Sequence, residues 1–186
     1  MHLAVYFPGG SIPGQDPFDE RLAWVTLRAL EQAGAVVVPV HYDDDVLGQD
    51  PERFASGVRR ELRGALAHHG PSRLTIVGKS RGTFALKIAC TEQFDYPGDT
   101  RMIWMTPVWR SEAAWRAACA NTVESLYVVG LADHEYHDSE RHAAVPGTSL
   151  EIPAADHRLE VPGDVLATLD AWRLMADSIT RFAARV

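Results

Sequence analysis

The sequence predicts an α/β fold, a parallel sheet with helices on both faces. Two observations predict it. Short apolar runs alternate with longer helical patterns from end to end, the order of a chain winding strand to helix to strand. The 186 residues, 46% of them hydrophobic, suffice for one ordinary core, and no repeat, low-complexity stretch or linker divides them. The chain is therefore expected to form a single domain over residues 1–186.

The elements follow in order. Leu3 to Phe7 has the length and apolarity of a first strand, which Pro8, Gly9 and Gly10 break. Asp16 is expected to cap a helix with Pro17 at its first position. Phe18, Leu22, Val25 and Ala29 recur there at helical spacing, and Gly34 closes it. Val36 to Val40 is the second strand. Its Pro39 has no N–H to give a ladder, which puts this strand at a sheet edge. Asp50 and Pro51 repeat the capped start, Phe54, Val58, Leu62 and Ala65 share one face, and Gly70 stops that helix. His68 and His69, in its last turn, suit the negative end of the helix dipole.

Leu74 to Val77 is the third strand and runs into Gly78-Lys79-Ser80-Arg81-Gly82, after which a helix carries Phe84, Ile88 and Cys90. Met102 to Met105 is the fourth strand and ends at Thr106-Pro107. Ser111 opens a short helix bearing Ala114 and Trp115. Leu126 to Val129 is the fifth strand and leads into Gly130-Leu131-Ala132-Asp133. Ser149 to Ile152 is the sixth and leads into Pro153-Ala154-Ala155-Asp156-His157. A last helix runs from about Asp164 to Arg185, with Val165, Leu169, Trp172, Ile179 and Phe182 as its apolar stripe.

Composition excludes several classes of partner. The net charge is −7 and no basic cluster is present, so neither nucleic acid nor an anionic membrane has electrostatic support. No apolar run approaches the roughly 20 residues of a membrane span. The N-terminus lacks the basic start and cleavage site of a signal peptide. Cys90 and Cys119 are far apart and outside any CxxC, which suits reduced thiols in a cytoplasmic protein.

Gly78-Lys79-Ser80-Arg81-Gly82 fits G-x-S-x-G. With 14 glycines in the chain, chance alone yields about 0.05 such matches. The match also sits where that motif functions, between a buried strand and a helix. Side chains at positions 78 and 82 would collide with neighbouring backbone in so sharp a turn, and glycine removes them. The serine is then pushed out at the C-terminal end of the sheet. Gly78-Lys79-Ser80 is also the tail of a phosphate-binding G-x-x-x-x-G-K-S loop. That motif needs glycine at 73, which is Arg73, and exposed amides where residues 74–77 are apolar strand.

A serine hydroxyl needs a base, and the base needs a carboxylate to orient it. Asp133 follows the fifth strand and His157 the sixth. All three groups fall at C-terminal strand ends, where open parallel sheets bind ligands. Their order, Ser80, Asp133, His157, is that of serine hydrolases built on such a sheet. Rivals exist: Glu135 and Asp138 for the acid, while Asp156 shares the short loop of His157 and should point elsewhere. His134, His137 and His142 have the spacing of a metal cluster but read more simply as solvated histidines. Lys79 and Arg81 flank the serine as surface charges or as attractors of an anionic substrate.

FPGG at 7–10, VGKSRGT at 77–83, IWMTPVW at 103–109, VVGLADHEY at 128–136 and IPAADHRLEVPGD at 152–164 together resemble a small member of the α/β-hydrolase superfamily. The chain is similar in particular to compact bacterial hydrolases whose elbow reads GKS-x-GT. The resemblance implies a minimal six-stranded sheet of order 2-1-3-4-5-6, which leaves the Pro39 strand at an edge. It implies Ser80 as nucleophile, His157 as base and Asp133 as acid, with no cofactor and no metal. The usual His-Gly after the first strand is Pro8-Gly9 here, so the oxyanion donors are expected to be the backbone N–H groups of Gly10 and Arg81, with Gly9 as the alternative. Many such hydrolases carry a lid between the fourth and fifth strands. The interval between Pro107 and Leu126 holds only one short helix, which implies a lidless site. Trp109 is expected to line that site for a small-molecule acyl substrate, whereas Trp104 reads as core and Trp115 and Trp172 as helix–sheet packing. The expected activity is ester hydrolysis, with thioester second. The competing expectation is a binding protein that keeps the hydrolase fold without its chemistry.

Overall fold

The computed structural model of the protein describes residues 1–10, 21–40 and 50–185. The elements are β1 (His2–Phe7), α1 (Arg21–Gln32), β2 (Val36–Pro39), α2 (Pro51–His69), β3 (Arg73–Lys79), α3 (Thr83–Thr91), β4 (Asp99–Met105), α4 (Glu112–Ala120), β5 (Glu124–Gly130), α5 (Ser139–Ala144), β6 (Thr148–Ile152) and α6 (Val165–Ala184). The six strands form one sheet, ordered β2-β1-β3-β4-β5-β6, and every pairing is parallel. The expected order is the observed one, and β2, with Pro39, lies at the edge.

Strand alternation divides the core into two halves. Leu3, Val5, Phe7, Leu74, Ile76, Met102, Trp104 and Tyr127 point to one face, where they meet Phe54, Val58 and Leu62 of α2 and Ala85 and Leu86 of α3. Ala4, Tyr6, Val77, Ile103, Met105, Leu126 and Val128 point to the other, against Leu22 and Leu30 of α1 and Met175, Ile179 and Phe182 of α6. Both faces being covered is why these strands read as continuous apolar runs rather than alternating ones. The strands outrun the expected apolar segments because polar residues extend them: β4 begins at Asp99 and β5 at Glu124.

The helix punctuation behaves as read. Asp50 accepts a hydrogen bond from the Arg53 N–H, and Gly70 ends α2 in the left-handed conformation. Gly34 does the same after α1 at φ 80°. Ser111 and Asp164 cap α4 and α6 through Ala114 and Ala167. The expected cap at Asp16, with Pro17 and Phe18, lies outside the described residues. One stripe is corrected. Val165 and Leu169 are 74% and 53% exposed, so α6 is buried only from Ala171 onward, where it packs beside α1. Its C-terminal end is held by Arg101 of β4, whose buried guanidinium donates to the carbonyls of Phe182 and Arg185 and pairs with Asp99 and Glu124. Among the described residues no helix is long and apolar enough to cross a membrane.

Candidate active site

The site begins with a turn only glycine permits. β3 ends at Lys79, one tight helical turn spans Ser80–Gly82, and α3 starts at Thr83. A Cβ on Gly78 would lie 2.5 Å from the Gly82 carbonyl oxygen, and one on Gly82 would lie 2.2 Å from that of Phe7. Ser80 sits at φ 50°, a left-handed conformation that costs a non-glycine residue about 1–2 kcal/mol. The Thr83 hydroxyl donates to the Ser80 carbonyl at 2.6 Å and braces the turn. Backbone cannot rotate away as a side chain can. Gly82→Ala is therefore expected to destabilise the fold by roughly 2–3 kcal/mol or more in urea unfolding. Gly57→Ala, in α2 with nothing within 4 Å, should stabilise it by roughly 0.5–1 kcal/mol instead.

A third glycine brings the other two loops together. A Cβ on Gly130, at the end of β5, would meet the carbonyl oxygens of Ala155 and Asp156, each at 2.4 Å. Its absence lets the loop after β6 cross the end of β5, where the N–H groups of Leu131 and Ala132 donate to the carbonyls of Ile152 and Ala155. Within that loop Asp156 turns inward as expected, accepting from the N–H groups of Arg158 and Glu160. His157 is thereby presented to both neighbours. Its Nδ1 lies 2.6 Å from Asp133 Oδ2 and its Nε2 lies 2.7 Å from Ser80 Oγ.

The protons follow from the partners. Burial pushes the Asp133 carboxyl up, but the hydrogen bond and charge of His157, with the backbone N–H groups of Tyr136 and Glu135, outweigh it and hold the group below its ordinary value. An ionised carboxylate only accepts, so His157 carries its proton on Nδ1 and leaves Nε2 to accept from the Ser80 hydroxyl. The second carboxylate oxygen, Oδ1, accepts from the Tyr136 N–H at 3.0 Å. The rival acid Asp138 is committed elsewhere, capping α5 through the Arg141 N–H. Neither thiol competes as nucleophile: burial pushes Cys90 up to about 12 and raises Cys119 as well.

The loop after β1 lies against the Ser80 turn. The Cβ position of Gly9 is 3.2 Å from Ser80 Cβ, and that of Gly10 is 3.0 Å from Arg81 Cδ. Gly9 thus borders the serine itself, whereas Gly10 lies against the Arg81 side chain.

Three expectations are corrected. Trp109 is wholly buried and lines no open surface. It stacks on Trp104 at 6.2 Å, and its indole N–H donates to His142 Nδ1 at 3.2 Å. Its backbone N–H bonds the Tyr136 carbonyl, so the residue after β4 anchors the acid loop instead. His142 is buried in that aromatic cluster rather than solvated, and among the described residues no three candidate ligands group as a metal site. Lys79 is 5% exposed rather than a surface charge. One neighbour escaped sequence reasoning entirely. The Tyr136 ring packs 4.4 Å from that of His157, and only its place three residues after Asp133 hinted at it.

The chain matches no family model and no curated protein. It is similar to solved structures across nearly its whole length. Est1E from Butyrivibrio proteoclasticus, solved with ferulic acid bound, is 12% identical and superposes with a TM-score of 0.74 over 98% of this chain and 88% of that one. An alpha-beta serine hydrolase homologue from Coxiella burnetii is 12% identical, TM-score 0.70, over 97% and 84%. The esterase domain of a Rhodothermus marinus protein is 13% identical, TM-score 0.62, over 96% and 86%. These likenesses show the α/β-hydrolase fold.

Proposed function

We propose that the chain is a serine hydrolase that cleaves small or exposed carboxylic esters, with thioesters as the second class. One observation carries the reading: the unbroken hydrogen-bonded line from Ser80 through His157 to Asp133, set on a strained turn. The names of the structural neighbours, hydrolases and esterases, support it.

Ser80 Oγ attacks the acyl carbonyl while His157 Nε2 takes its proton. Asp133 holds the imidazole and stabilises the cation that forms. The oxygen of the tetrahedral intermediate faces the backbone N–H groups of Arg81 and Gly10. His157 then protonates the departing alkoxide, leaving an acyl-enzyme on Ser80. Water, activated by the same imidazole, releases the acid and restores the serine. Between β4 and β5 the described residues hold only the short α4, too little for a lid domain in that interval.

A fluorophosphonate probe tests the activated serine. Intact mass should show one probe per wild-type chain and none on Ser80→Ala or His157→Ala. A folded wild type that stays unlabelled would remove the catalytic reading and leave a binding protein.

A further inference from the structure

We propose that the ester this site takes carries a carboxylate within a side chain's length of the scissile carbonyl, and that the Arg81 guanidinium recognises it. The inference rests on the hydrolase reading and names its substrate class. Arg81 follows the nucleophile, and its side chain is folded over the loop after β1. Cδ lies 3.0 Å, and Nε and one terminal nitrogen 3.2 Å, from the Cβ position of Gly10. The residue is exposed, and among the described residues no carboxylate, carbonyl or hydroxyl accepts from its guanidinium. A planar cation so placed offers a fork that matches a carboxylate in two hydrogen bonds.

A second cation stands on the other side of the same loop. The buried Lys79 places its Nζ 3.6 Å from the Cβ position of Gly9, a point itself 3.2 Å from Ser80 Cβ. The protein as a whole carries a net charge of −7, yet both neighbours of the nucleophile in sequence are positive. Arg81 also acts across the site: its charge opposes the upward push that Glu135 and burial exert on the Tyr136 phenol, whose ring lies against His157. A protein of net charge −7 repels an anionic ester at a distance, and the exposed Arg81 guanidinium attracts one at the site.

Matched ester pairs test this. One pair differs on the acyl side: mono-(4-nitrophenyl) adipate against 4-nitrophenyl hexanoate. The other differs on the alcohol side: 4-carboxyphenyl butanoate against 4-carbamoylphenyl butanoate. In at least one pair the anionic member should have the higher kcat/KM by about ten- to fifty-fold at low salt, the range a cation several ångströms away supplies. The preference should shrink toward unity in about 0.5 M salt, because the guanidinium is exposed. Arg81→Gln should collapse the ratio, and Arg81→Lys should retain part of it. A wild type that is labelled by fluorophosphonate but shows no anionic preference in either pair overturns the inference alone. So does a preference that survives in Arg81→Gln. A wild type that resists the probe overturns the hydrolase reading beneath it instead. Should Arg81→Gln not fold, the wild-type ratio and its salt dependence decide.

Discussion

Ser80→Ala and His157→Ala are each expected to lower kcat on an activated ester by about six orders of magnitude, and the double variant should lose no more than either alone. The reason lies in the single line that the two residues form. Ser80 Oγ is 2.7 Å from His157 Nε2, close enough for one proton to pass between them as the carbonyl is attacked. Without the imidazole the hydroxyl keeps its proton, and without the hydroxyl the imidazole has nothing to activate except water. Either loss returns the reaction to what the backbone donors achieve alone. Independent contributions would instead multiply. A double variant far slower than both singles would mean that each residue works separately, and the shared-proton mechanism would fall. Both side chains are partly exposed, so circular dichroism and thermal melting should show the fold retained.

Much of this candidate site was legible because its geometry is local. The elbow lies within five consecutive residues, and its two glycines state the steric problem they solve: a Cβ at 78 or 82 would meet backbone at 2.5 or 2.2 Å. Asp133 and His157 were found by their places at strand ends, which an alternating pattern exposes. Pro39 fixed an edge because a missing N–H is visible in any sequence. What was illegible depends on packing between distant segments. Trp109 looks the same in sequence whether it lines a pocket or stacks on Trp104 and Tyr127, and only the fold decides. His142 belongs to the core because Trp109 offers it an indole N–H, a partner 33 residues away. The stripe on α6 misled for a related reason. Its helical period is real, but the first two turns of the helix stay largely exposed, Val165 and Leu169 among them. Gly130 went unread because the loop it admits comes from the next strand.

Asp133→Asn should lower kcat by about four orders of magnitude while the protein stays folded. The effect follows from proton placement rather than from lost contact. Asp133 accepts at both oxygens: Oδ2 from His157 Nδ1 at 2.6 Å, and Oδ1 from the Tyr136 N–H at 3.0 Å. An amide can serve only one of these as acceptor. If its oxygen keeps the Tyr136 N–H, its NH2 must face Nδ1, and the imidazole proton moves to Nε2. Nε2 then presents a proton to Ser80 instead of a lone pair, and the base is gone although every atom is in place. The change also removes a charge the fold uses. The carboxyl is held below its ordinary value, so its ionised form stabilises the folded state above the ordinary carboxylate pKa, and that share is lost as pH falls through the depressed value. The stability deficit of the variant should therefore be present at neutral pH and narrow in acid. Asp138 could step in only by uncapping α5, and Glu135 stands beside the Tyr136 phenol. A variant as active as the wild type would show that one of them had done so, and the acid would have to be reassigned by testing Glu135→Gln and Asp138→Asn in the same background.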